Sequence, residues 1–99
     1  MTQFTGQHVM DPKTGNLAGG YLEGNGLKVQ WASDPDERTG AGPATLTAAL
    51  IERLQALKQT KYWCDELEAS LARANEIAAY LKRRTQDRQF RFTDGTNDP

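Results

Sequence analysis

The stretch Cys64-Asp65-Glu66-Leu67-Glu68-Ala69-Ser70-Leu71-Ala72-Arg73-Ala74-Asn75-Glu76-Ile77-Ala78-Ala79-Tyr80-Leu81 carries the most regular pattern in the chain. Cys64, Leu67, Leu71, Ala74, Ala78 and Leu81 alternate steps of three and four, the narrow apolar seam of a helix that packs along one neighbouring helix. Asp65, Glu66 and Glu68 stand in its early turns and Lys82, Arg83 and Arg84 near its end, so both ends complement the helix dipole. Upstream, Leu46, Leu50, Leu54 and Leu57 recur at helical spacing with Ile51 beside them. Pro43 suits the first position of that helix, because its missing N–H would have no partner there anyway. Gln59-Thr60 interrupts the pattern, and Thr60 is expected to cap the second helix. The connection is too short for any arrangement but an antiparallel hairpin, predicted over residues 44–88.

A hairpin of two helices covers one face of each. Ile51, Ile77 and Tyr80 fall off the shared seam, and their burial requires a further layer, either the N-terminal region or a second subunit. Fully burying a side chain of this size contributes roughly 1.5–3 kcal/mol, a large share of a typical total stability of about 5–15 kcal/mol. A homo-oligomer is therefore expected.

The first third reads differently. Asp11-Pro12-Lys13-Thr14-Gly15-Asn16 and Gly24-Asn25-Gly26 are turn signals. Between and after them lie short β-type runs, best in Leu27-Lys28-Val29-Gln30-Trp31, where apolar and polar residues alternate. This predicts a small antiparallel β-meander over residues 7–32, with Val29, Trp31 and Tyr21 on its buried face. Residues 33–43 hold no apolar pattern and are expected to form a mobile loop. Residues 89–99, with Phe90 and Phe92, form an aperiodic tail. The fold class is thus α+β: a small N-terminal antiparallel β-meander followed by an antiparallel helical hairpin, a single domain over residues 1–99.

Composition narrows the chemistry. A chain of 99 residues fits one domain with a modest core. Cys64 is the sole cysteine, so no disulfide can form within the chain, and a lone thiol fits a reducing compartment. Met1 to Met10 is polar, unlike a signal peptide, and no apolar run approaches the length of a membrane span. A cytoplasmic location without membrane contact is expected.

Catalysis finds no support. His8 and Cys64 lie far apart with no orienting third group. They fall short of the roughly four nitrogen or sulfur ligands that a structural zinc needs. Cys64, on the seam, is expected to be a small buried hydrophobe. The glycines lack the Lys-Ser/Thr ending of a phosphate loop. No catalytic residue, metal or cofactor is expected.

The formal net charge of −1 is unevenly spread. Residues 1–43 hold Lys13, Lys28 and Arg38 against Asp11, Glu23, Asp34, Asp36 and Glu37, whereas residues 82–91 hold Lys82, Arg83, Arg84, Arg88 and Arg91 against Asp87 alone. That concentration indicates a local anion site rather than a surface for long nucleic acid. Arg84 and Arg88 are four apart and share a face on a continuing helix. Two guanidinium forks suit a phosphate, Thr85 adds a hydroxyl, and Asp87 can pair with Arg83 or Arg91. The plainer reading is a helix end decorated with favourable cations. Tyr62 and Trp63 offer a surface on which a base could stack, or simply core packing at the turn.

These residues resemble a family. Ile51-Glu52-Arg53-Leu54, the turn Tyr62-Trp63-Cys64 with Glu66, and Leu81-Lys82-Arg83-Arg84-Thr85-Gln86-Asp87-Arg88 are similar to the helical hairpin of phage anti-Thoeris and anti-CBASS sponges. Asp94-Gly95-Thr96 resembles the acidic-Gly-Thr ending often seen there. Gly6 to Trp31 looks like the β-region of longer members. The likeness spans most of the chain outside the 32–43 loop, and Arg-Thr-x-Asp-Arg in register with the cysteine turn is its most specific motif. It implies a non-enzymatic protein of the infected bacterial cytoplasm that forms oligomers, often hexamers. Such proteins enclose cyclic di- or trinucleotides or cyclic ADP-ribose isomers between subunits and release them intact. Arg84 and Arg88 match the family's ligand-gripping arginines and Thr85 the adjacent hydroxyl. Leu57 stands where the family often has an aromatic, and Asp65 and Leu67 replace an Arg and an Asn, changes that weaken stacking and remove polar contacts. The expected function is sequestration of a cyclic-nucleotide immune messenger. The alternatives are a structural or adaptor protein pairing through its helical seam and, ranked last, weak nucleic-acid binding through residues 82–91.

Overall fold

The structure is a computed structural model that describes residues 3–93, with side-chain surroundings through residue 87. Three antiparallel strands precede two helices: β1 (Thr5–Met10), β2 (Leu17–Gly24), β3 (Leu27–Gln30), α1 (Pro43–Leu57) and α2 (Asp65–Thr93). The α+β order follows the sequence pattern, with strands where the period is two and helices where it is 3.6. The chain groups into two compact units, residues 1–45 and 46–99.

In the first unit the sheet order is β1-β2-β3. Asn25 and Gly26 close the β2–β3 hairpin with positive φ at both positions (51° and 83°), the two-residue turn that matches strand twist. The β1–β2 turn is fastened from within: the Lys13 N–H donates to Asp11 Oδ1 (2.8 Å) and the Gly15 N–H to the Asp11 carbonyl (2.8 Å). Leu22 pairs with Val29 and Tyr21 with Gln30. Val29 is the buried residue of the sheet, whereas Tyr21, one residue out of phase with Leu22, lies on the opposite face and is 42 % exposed. Strand alternation thus corrects the placement of Tyr21 beside Val29 and Trp31. Gly20 pairs with His8 and accepts the Trp31 N–H (3.0 Å). A Cβ at Gly20 would collide with the Gln7 carbonyl, so glycine is required there, and the His8 and Trp31 rings stack with centroids 5.8 Å apart.

The second unit is the helical hairpin. Leu54 of α1 meets Leu71 and Ala74 of α2 in a buried cluster, with Ile51, Leu57, Trp63 and Leu67 packed around it. Ile51 therefore finds cover inside the hairpin, contrary to its expected place off the seam. Leu50 is half-exposed because it faces Ala69, Ser70 and Ala74, whose small side chains leave a groove there. Ile77 (49 %) and Tyr80 (68 %) stay exposed, as their positions off the seam predict.

The helix ends also differ from expectation. Thr60 closes α1 instead of opening α2: its Oγ1 donates to the Leu57 carbonyl at 2.7 Å. The first α2 backbone bond runs from the Glu68 N–H to the Cys64 carbonyl (3.0 Å), which makes Cys64 the cap. A cap residue lies outside the helical repeat, so Cys64 leaves the seam and is exposed rather than buried. At the other end α2 continues to Thr93, past the position 88 expected to end the hairpin, and at 29 residues against 15 it far outruns α1. The side chains of Arg88, Phe90 and Phe92, and the whole Asp94-Gly95-Thr96 segment, lie outside the described residues.

Candidate functional site

The basic end of α2 starts from helix geometry. The helix is continuous through positions 84 and 88, so both fall on one face, one turn apart. Arg84 is exposed and makes no ion pair or hydrogen bond among the described residues. Thr85 is partly buried, and its hydroxyl donates to the Leu81 carbonyl (3.2 Å). That bond spends its only donor, so the hydroxyl is left as an acceptor and offers nothing to a phosphate oxygen. Asp87 is exposed and forms no ion pair with Arg83, whose guanidinium lies over the Tyr80 ring at 5.7 Å.

The aromatic candidates sit at the other end of the hairpin. Tyr62 is 69 % exposed, with the Lys61 ammonium 5.5 Å from its ring centre. Trp63 faces inward: its Nε1–H donates to Glu68 Oε2 (3.0 Å), and Lys58 approaches the same carboxylate oxygen (3.9 Å). Leu57 packs against the hairpin core, which leaves it unavailable as a stacking surface. From the start of α2 to Arg84 the helix rises roughly 28 Å. One chain therefore does not bring Tyr62 or Leu57 to Arg84, Thr85 and Asp87, and any site using both groups draws them from different chains.

The densest polar cluster among the described residues lies in residues 32–43, expected from the sequence to be a mobile loop. Asp34 accepts the backbone N–H of Arg38 (3.0 Å to each carboxylate oxygen), the Thr39 N–H (2.9 Å) and the Thr39 hydroxyl (2.7 Å). The Arg38 amide and then the Thr39 hydroxyl hold the Asp34 carboxyl well below the usual carboxylate range. Glu37, at a positive φ of 58°, turns back onto α1 and accepts the N–H groups of Ala44 (3.1 Å) and Thr45 (2.8 Å) and the Thr45 hydroxyl (2.6 Å). Burial pushes its pKa up, but bonds from Thr45, Ala44 and Gly42 outweigh that and hold it below its ordinary value. A carboxylate on the orphan amides of a first helical turn is a cap. Residues 41 and 32 close the loop with an Ala32 N–H to Ala41 carbonyl bond (2.8 Å). The expected mobile loop is a hydrogen-bonded knot. Its signal in the sequence is Ser33-Asp34-Pro35, a turn initiator, and Gly42-Pro43, a helix start. Asp34 is consumed by its own loop and Glu37 by the first turn of α1, so the knot is structural.

Among the described residues no three metal-ligating side chains cluster. No helix among them is long and apolar enough to cross a membrane. Comparison with known proteins finds no matching family model, no matching curated protein and no matching solved structure.

Proposed function

We propose that this protein binds and sequesters a compact cyclic nucleotide, a di- or trinucleotide or a cyclic ADP-ribose isomer, without transforming it. In that role it would blunt messenger-based bacterial immunity of the CBASS or Thoeris kind from within the infected cell's cytoplasm. The observation that carries the reading is the unbroken run of α2 through Arg84 and Arg88, beyond the length of α1, with Arg84 exposed and making no ion pair or hydrogen bond among the described residues. Two long arginine side chains on one helix face can converge on a phosphodiester, and each can donate to it in pairs. The base would stack on an aromatic surface, and exposed Tyr62 from a second chain meets that need. Binding thus calls for a homo-oligomer, a hexamer on the family resemblance. Thr85 and Asp87 act as helix residues supporting the arginine turn, and Leu57 as core.

Incubation with a panel of cyclic nucleotides, followed by heat release and chromatography, tests the reading. It predicts retention of at least one messenger, its return intact, and loss of retention in Arg84→Ala. A chemically altered product would mark an enzyme, and absence of retention across the panel would remove the reading.

One observation favours a second reading, an adaptor that pairs through its helices: Leu50, Ile77 and Tyr80 leave about half or more of their surface exposed on the hairpin. That reading predicts activity indifferent to Arg84→Ala and abolished by a polar residue at Leu50 or Ile77 in a variant that still folds.

A further inference from the structure

A second stripe runs along α2, outside the one that faces α1. Glu66, Ser70, Arg73, Ile77, Tyr80 and Arg84 follow one another in steps of three and four, so they line one face. All six are exposed. The stripe has three parts. Its N-terminal end is acidic, in a first turn that holds Asp65, Glu66 and Glu68. Its C-terminal end is basic, with Lys82, Arg83, Arg84 and Arg88 against Asp87. Its middle is a mainly apolar groove lined by Leu50, Ala69, Ser70, Arg73, Ala74 and Ile77, and Tyr80, one turn on from Ile77, is a large ring 68 % exposed.

We infer that this face is the docking surface for a second copy of the chain, packed antiparallel along α2. The order acidic, apolar, basic is its own complement when reversed, and a twofold axis across the helix reverses it. A parallel partner would set the two basic ends against each other. With the axis opposite position 75, Glu66 of each chain meets Arg84 of the other, and Tyr80 comes over Ser70 in the groove. Ile77 then packs beside Arg73, whose charged end is already engaged by Glu76 at 2.9 Å while its stem is free to cover apolar surface. The same register places the partner's Tyr62 near Arg88. The inference deepens the proposed function by naming the contact that joins the two halves of its site, although the stripe itself stands without any ligand. Arg84 can serve both, since its guanidinium carries five donors and one fork on the partner's carboxylate leaves others for a phosphate.

Charge exchange in the full-length protein tests the pairing. Sedimentation of the wild type at micromolar concentration should show association. Ile77→Glu should weaken it by about tenfold or more, since it sets a charge in the apolar middle of both halves. Glu66→Arg and Arg84→Glu should each weaken it similarly, and the double variant should recover association to within a few-fold of wild type. All three positions are exposed, and unchanged far-UV circular dichroism confirms that each of the four variants folds. A monomeric wild type up to about 100 μM overturns the inference, as does a double variant no better than the single ones. The double variant also separates this inference from the ligand reading. Restored association with nucleotide binding still lost supports both, because position 84 then carries an acid. Restored association in a protein whose wild type binds no nucleotide supports the interface and removes the ligand reading alone.

Discussion

The two units of this chain are held by different chemistry. Among the described residues up to 45 Val29 is the one buried apolar side chain, and order comes from strand pairing and from side-chain oxygens that meet backbone N–H groups one by one. In the helical hairpin the backbone satisfies itself, and order comes from Leu54, Leu71 and Ala74 in contact. Cohesion in the first unit is thus local and polar, set by named donors and acceptors. Cohesion in the second is periodic and apolar. Both units leave apolar side chains exposed, and in the second the reason is geometric: a two-helix seam uses one stripe of each helix, so Ile77 and Tyr80 on another face of α2 stay uncovered.

If that contrast is right, the largest loss comes from the hairpin core. Leu71→Ala should cost about 2–5 kcal/mol, read from urea unfolding followed by circular dichroism at 222 nm. Loss below 1 kcal/mol would mean that the seam is not what holds the helices together. Next, Glu37→Ala removes the cap of α1 and should cost about 1 kcal/mol, with faster hydrogen exchange at the Ala44 and Thr45 amides. Gly42→Ala should act through the same contact, because a Cβ there would sit 2.6 Å from the Glu37 carboxyl carbon.

Acid should separate the units further. Asp34 and Glu37 have folded pKa values below their ordinary ones of 3.8 and 4.5. Each therefore contributes stability that is complete above those ordinary values. It erodes as pH falls below them and is gone once the folded values are passed. Exchange protection at Arg38, Thr39, Ala44 and Thr45 should fall between pH 5 and acid on the order of pH 2, and Asp34→Asn should flatten the Arg38 and Thr39 part of that response. The smallest effect is expected at Glu68, whose exposed pairing with Lys58 adds little: Glu68→Gln, which still accepts from Trp63, should change stability by no more than about 0.5 kcal/mol.

Periodic features were legible in the sequence. Leu67, Leu71 and Ala74 announce α2 by spacing, Asn25-Gly26 announces a hairpin turn, and the alternation around Val29 announces a strand. What depends on which end of a pattern is inside was less so. Cys64 fits the spacing of the seam but stands at the cap, where the helical repeat has not begun. Leu50 fits the stripe of α1, yet the residues opposite it are too small to cover it. The 32–43 knot is invisible to periodicity, because Asp34 and Glu37 order it through single hydrogen bonds to residues several positions away. Of the candidate site, the arginine spacing was readable and its separation from Tyr62 was not: a helix long enough to carry both ends necessarily holds them apart.

The claim on which the functional account turns is that exposed Arg84 and the turn of α2 that follows it grip a phosphodiester. Thermal unfolding of wild type and Arg84→Ala, each with and without cyclic di- and trinucleotides and cyclic ADP-ribose isomers, tests it most directly. Binding to the folded state adds about 2.7 kcal/mol at a hundredfold excess over Kd. The account predicts a clear rise in wild-type Tm with at least one ligand and little or none in the variant. An unchanged wild-type Tm across the panel, or an equal rise in both proteins, would contradict it.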